Sequence, residues 1–483
     1  MFKKIKQLAG DSLIYGISSI ITRFISIFLI PIYTKIFQPS DYGIINLVTT
    51  TFVLMGIFVV MGLDNSAALW YWDKEDEIER ERTFSSWFWF QITVATCVGV
   101  VIIISSKLVS RLILNETGHN DLFIIAGLNL PLTTFSLVFN TWLRVKRKPV
   151  SAVAYSLFSS LLTIGLSIYL VIYLRMGLRG VFLSQLISNS ACALVVIFQL
   201  RGLLKIRFFN LTRLGEMLKY AIPLIPATIS FWLLNSAGSF FISHYASKTE
   251  VGLFQIGSSI AAVCNMVFWA FLQAWSPFAM SIHKHGDAKD IYATVFDLYC
   301  AMGGALVLFI FLFAPEILHV LTTKAYYQAA LVAGLLSLNI FIANISQITC
   351  IGSSLAKTNM PYAIGVIISA VISVILYVVL IPLWGKEGAA ISTLAGSAFL
   401  SCYVTFRAQK LYFVPYHISK NIKLVLSLFV LMMLSFFIKT YSEIAAMLLK
   451  SVLFLLFLAF IFLANRNIII NLLRKLKLQV KPI

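Results

Sequence analysis

Roughly fourteen runs of about twenty apolar residues follow one another along this chain, and each is long enough to cross about 30 Å of hydrocarbon. They lie near 12–34, 42–63, 84–106, 121–142, 150–173, 180–200, 219–242, 251–275, 290–313, 327–351, 361–381, 387–406, 421–438 and 444–464. With 60% hydrophobic and 12% charged residues in 483, and a mean hydropathy of +0.91, a soluble globular domain is excluded and an all-α integral membrane bundle is expected. The leader Met1-Phe2-Lys3-Lys4-Ile5-Lys6 resembles the start of a secretory signal. The run behind it is too long and lacks a small-x-small cleavage site, so it is read as a retained first helix.

Charge sets the expected orientation. Of the 38 lysines and arginines, 27 fall on the leader, the tail and the loops that share their side, nine fall on the opposite loops, and Arg23 and Lys450 lie within spans. By the positive-inside rule both termini are cytoplasmic. The net charge of +19 is then a topology signal and an attraction to anionic headgroups, and nucleic acid is not an expected partner. All six cysteines lie within or at the ends of apolar runs, with no CxxC pair, so neither a disulfide nor a thiolate metal site is indicated.

The chain repeats itself. Gln38-Pro39-Ser40-Asp41-Tyr42-Gly43 resembles Ser247-Lys248-Thr249-Glu250-Val251-Gly252 at an offset of 209 residues. Lys148-Pro149 parallels Met360-Pro361 at 212, and the segment from Arg179 to Leu186 parallels that from Glu387 to Leu394 at 208. Three matches in register, six spans apart, predict two six-helix lobes of like orientation. The expected organisation is an N-lobe at 1–200, a basic amphipathic connector at 201–218, a C-lobe at 219–406, and two appended spans with a basic tail at 407–483.

Arg23 sits near the middle of the first run, where a charge costs about 2.5–3.5 kcal/mol and is expected to face a cavity or a partner rather than lipid. Ser12, Ser19, Ser26 and Tyr33 recur every seven residues on the same helical face. Asn235, Asn265, Gln273, Asn339 and Gln347 are the amides of spans 7, 8 and 10, able to donate and accept to a polar ligand. Asp297 is the lone acid of span 9, expected to face a cavity or to form an ion pair. Small polar residues serve helix packing as readily as ligand binding. Pro31, Pro131, Pro223 and Pro226 each remove a backbone donor and bend a helix, either as static kinks or as hinges of a rocking gate.

No phosphate-loop pattern and no HExxH occur, and the loops are short, so no nucleotide, metal or other cofactor is expected. The run from Asp73 to Arg82 alternates in charge as a solvated helix does, and His283-Lys284-His285 reads as loop.

A basic leader, a first helix with Arg23 and Pro31, and then Tyr33-Thr34-Lys35-Ile36-Phe37-Gln38-Pro39-Ser40-Asp41-Tyr42-Gly43 resemble the polysaccharide-exporter branch of the multidrug/oligosaccharidyl-lipid/polysaccharide superfamily, which includes the O-antigen and capsule repeat-unit flippases. The resemblance implies a MATE-like fold with a central cavity and alternating access. It also implies a substrate consisting of an oligosaccharide on undecaprenyl diphosphate, flipped from the inner to the outer leaflet of a bacterial inner membrane. The partners it implies are that lipid-linked oligosaccharide, membrane lipid, a proton or sodium coupling ion and polysaccharide assembly proteins. Arg23 matches the cationic position of the family's first helix, with Asn235, Asn265, Gln273, Asn339 and Gln347 as sugar-binding candidates. Asp297, Asp41, Glu250, Pro31, Pro223 and Pro226 are candidates for coupling or gating. The alternatives are a cation-coupled multidrug exporter of the same superfamily, a membrane glycan polymerase or ligase, and a scaffold for glycan assembly; the protein is read as a transporter, not an enzyme.

Overall fold

A computed structural model describes residues 29–73, 76–438 and 442–466. Among these every regular element is helical: α1 (Leu29–Ile36), α2 (Pro39–Val60), α3 (Leu63–Asp73), α4 (Glu77–Ile104), α5 (Ser106–Leu114), α6 (Asn120–Val145), α7 (Pro149–Ile168), α8 (Gly177–Leu200), α9 (Leu211–Ala221), α10 (Ile225–Ser236), α11 (Gly238–Tyr245), α12 (Lys248–Ile282), α13 (Ala288–Leu321), α14 (Ala330–Thr349), α15 (Ile351–Leu355), α16 (Met360–Leu411), α17 (Ile418–Ser435) and α18 (Glu443–Ala464), with short 3-10 and π turns between some of them. Twelve stretches of the described chain are long and apolar enough to span a membrane. One of the twelve is two spans. α16 would measure about 78 Å as a continuous helix at 1.5 Å per residue, yet a Cβ on Gly365 would lie 3.0 Å from Leu400 Cδ1, and the Ser373 hydroxyl donates to Ser392 O at 3.3 Å. Its two arms fold back on each other about Gly385, whose φ of 51° and ψ of −128° suit glycine alone, three residues after Pro382. The expected first span falls mostly on residues 1–28, outside the described range, with α1 at its end, so about fourteen spans remains the consistent count.

The chain divides into two compact units, residues 1–255 with 377–385 and residues 256–376 with 386–483. The expected connector 201–218 forms a 3-10 turn and most of α9 in the first unit. At one end of that unit, Trp87, Phe88, Phe139, Trp142 and Tyr71 build an aromatic core, with Phe84 and Trp142 ring centroids 4.4 Å apart. Sequence explains why α4 starts where it does: Asp76 accepts the Ile78 N–H at 3.2 Å as an N-cap, and Glu77 and Glu79 complement the helix dipole. The charges of its first turns are solvent-accessible and also paired. Glu79 pairs with Arg82 at 2.7 Å and with Arg213, and Glu81 receives Lys205 at 3.2 Å, which ties the 201–218 segment onto α4.

The second unit packs α13 and α14 around Tyr299, Phe341 and Phe268, where the Tyr299 hydroxyl donates to Phe341 O at 2.8 Å. Both appended spans dock on α13 through ions. Lys420 of α17 meets Asp297 at 2.8 Å, and Lys450 of α18 meets Glu316 at 2.6 Å. Little of α18 is buried apart from Phe457, so most of its leucines and phenylalanines are left for lipid.

Candidate functional site

The described members of the predicted binding set fall in both units. Arg23 lies outside the described residues. In the first unit Asn235 is exposed on α10, and its amide donates to Phe231 O at 2.8 Å. In the second unit Gln273 is exposed on α12, Asn265 is half-buried, and Asn339 is buried with Oδ1 unpaired. Gln347 donates to the Tyr362 hydroxyl at 2.8 Å. No hydrogen bond joins any two of these among the described residues. Asp297 does not open on a cavity: its side chain is fully buried, Oδ2 receives Lys420 at 2.8 Å and lies 2.9 Å from His417 Nδ1, and Oδ1 receives Asn421 at 2.7 Å. An unpaired carboxylate there would be costly, and α17 with its N-cap residue His417 supplies all three partners.

Of the other gating candidates, Asp41 and Glu250 each lie in the first turn of a helix. Asp41 takes the Gln38 N–H at 2.9 Å and so fixes the start of α2, which begins at Pro39. Glu250 lies in the first turn of α12, where its N–H donates to Ser247 at 3.2 Å and one carboxylate oxygen sits beside Gly385. Pro31 lies in α1, next to the undescribed residues. Pro223 and Pro226 occupy the 3-10 turn Ile222–Leu224 and the first turn of α10, where the helical run from Leu211 to Ser236 breaks.

Between these elements the repeat becomes a contact. Gly43 is the fifth residue of α2 and Gly252 the fifth of α12, 209 positions apart. A Cβ on Gly43 would overlap the carbonyl of Lys248, the first residue of α12, and a Cβ on Gly252 would overlap the carbonyl of Pro39, the first residue of α2. One turn further, Asn46 Nδ2 donates to Gln255 Oε1, again the same offset apart. The two helix starts therefore cross about a local two-fold axis, backbone against backbone, as only glycine permits. Lys248 is further tied to Glu116 at 2.5 Å. The repeat is legible in these residues; their contact is not.

A second feature, also missed, is a half-open cavity of about 330 Å³ among α2, α6 and α8. Phe52 and Phe182 line it together with Thr49, Asn129, Thr133 and Gln185. Asn129 is buried, and its Oδ1 accepts from Asn189 at 3.0 Å. The legible trace was the i, i+4 spacing of Asn129 with Thr133 and of Gln185 with Asn189, which puts each pair on one helix face.

Residues 32–281, more than half of the chain, match a family model described as "Polysaccharide biosynthesis protein". No curated protein matches. Among solved structures the fold is similar to that of the lipid II flippase MurJ in an inward closed conformation, with a TM-score of 0.75 and 13% identity over 95% of this chain and 100% of that one. It is also similar to a multidrug resistance MATE transporter of the MOP superfamily in an inward-facing conformation, with a TM-score of 0.68 and 16% identity over 80% and 94%, and to the outward-facing form of such a transporter, with a TM-score of 0.58 and 17% identity over 84% and 95%. This chain is thus a multi-pass membrane protein with the fold of the multidrug/oligosaccharidyl-lipid/polysaccharide exporters, and it belongs to the polysaccharide biosynthesis protein family.

Proposed function

We propose that the protein flips an oligosaccharide carried on undecaprenyl diphosphate, an O-antigen, capsule or exopolysaccharide repeat unit, from the inner to the outer leaflet of a bacterial cytoplasmic membrane. A diphosphate bearing several sugars meets a barrier of several kcal/mol for each polar group left unsatisfied in hydrocarbon. A polar path between helices removes most of that cost. In this reading both termini are cytoplasmic, Arg23 holds the diphosphate through a planar, charge-assisted contact, and the amides of α10, α12 and α14 serve sugar hydroxyls.

The observation that carries the reading is the crossing of α2 and α12 at Gly43 and Gly252, in a chain of the polysaccharide biosynthesis family. Two repeat-related helix starts that touch at a narrow glycine contact, with one amide pair beside it, form a small seal that can part without unpacking a core. Such a seal is what alternating access requires on the closed side, and Asp41 and Glu250 in the adjoining first turns are placed to bias it. Proton or sodium coupling belongs to the same reading.

The test is to delete the gene and follow the lipid-linked sugars. We expect full-length repeat units to accumulate on the inner leaflet, with surface polysaccharide lost. Single repeats gathering on the outside would instead identify a polymerase, and unchanged polysaccharide with raised drug sensitivity a drug exporter.

A further inference from the structure

We infer that the cavity among α2, α6 and α8 is a subsite for the sugar portion of the substrate and not for its diphosphate; this rests on the flippase reading above. Among the described residues the lining is built from Thr, Asn, Gln, Phe, Val, Leu, Ala and Gly and carries no ionisable group to pair with an anionic diphosphate. About 330 Å³ falls at the lower end of the range of roughly 300–1,000 Å³ usual for small-molecule pockets.

The polar groups in it are arranged for hydroxyls. Thr133 and Thr134 both spend their protons on Leu130 O at 2.8 Å, so their oxygens are left as acceptors. The Asn129 Oδ1 is occupied by Asn189, which fixes the amide's orientation and leaves its Nδ2 as an unspent donor. Gln185 makes no hydrogen bond among the described residues and offers both a donor and an acceptor. A sugar hydroxyl donates and accepts at once, and so finds both partners here. Phe52 and Phe182 supply the complementary surface, since the negative face of an aromatic ring attracts the C–H-rich face of a pyranose. An acyl chain would fill the apolar part but strand the amides.

Two measurements test this in the full-length protein in cells. The first is export by Gln185→Leu and Asn129→Leu at equal membrane abundance. Because Gln185 makes no hydrogen bond among the described residues, its replacement breaks no internal bond there, and we expect export to fall about tenfold, the worth of one lost hydrogen bond to a bound ligand. The second is maleimide labelling of Thr133→Cys in cells that make the lipid-linked glycan and in cells lacking the first glycosyltransferase. We expect slower labelling when the glycan is present. Equal labelling in the two strains together with normal export by Gln185→Leu would overturn the subsite. If deleting the gene still strands repeat units inside, the flippase reading survives that failure; if deletion strands none, the flippase reading itself is at fault.

Discussion

Replacing Gly252 with alanine is expected to destabilise the protein by about 1–3 kcal/mol and to abolish export, because one methyl group would have to fit where the Pro39 carbonyl already lies. Overpacking is relieved cheaply when the neighbour is the end of a flexible side chain. Here it is backbone, held by the start of α2, with the Gly43 nitrogen also within 3.1 Å of the added carbon. The helices must separate, and Asn46 and Gln255 then lose their bond. Gly43→Ala should behave alike, since its added methyl meets the Lys248 carbonyl in the mirrored position. Gly165→Ala on α7 is the control: nothing lies within 4 Å of its added carbon, so the gain in helix propensity of about 0.5–1 kcal/mol is all that remains. Thermal unfolding of the three purified variants in detergent reads the stability term. An unchanged midpoint and normal export for Gly252→Ala would mean that the two helix starts do not approach as described.

The second large effect is expected at Asp297. Asp297→Leu leaves Lys420 without its carboxylate in a largely buried position, with Asn421 keeping only the His417 carbonyl as acceptor, and should cost about 3–5 kcal/mol. Docking of α17 on α13 should loosen, so the last two spans become sensitive to protease while the first unit holds. The double variant Asp297→Leu with Lys420→Met should recover much of the loss, because an apolar pair of similar size avoids both the missing partner and the desolvation of two charges. No recovery would show that the carboxylate does more than hold α17.

These two sites also mark the limit of what one sequence discloses. The helices were legible because a span of hydrocarbon demands a run of apolar residues, and the hairpin in α16 was already implied by two runs on either side of Trp384-Gly385-Lys386. Periodicity, however, says which face of a helix is polar and not what that face meets. Asp297 was singled out as costly, yet its partners lie 120 to 124 positions away at the mouth of span 13, where His417, Lys420 and Asn421 read as ordinary loop-end residues. The likeness between Pro39–Gly43 and Lys248–Gly252 was visible as duplication. That the duplicated segments press against each other follows only from the fold, since glycine in a helix start is equally compatible with open space. The cavity was not legible because Asn129 and Gln185 in spans 4 and 6 stand singly among apolar stretches, where a lone amide is equally compatible with helix packing.

The most direct measurement of the whole account is a reversible staple across the crossing. With Cys97 and Cys402 replaced by serine, since both are exposed, Asn46→Cys and Gln255→Cys are introduced at the two positions whose side chains hydrogen-bond, and the pair is oxidised in cells. We expect export of lipid-linked glycan to stop once the staple forms and to resume when a reductant opens it, while either single cysteine exports throughout. Continued export by fully stapled protein would contradict the account, because the contact between α2 and α12 would then not need to open for the substrate to cross.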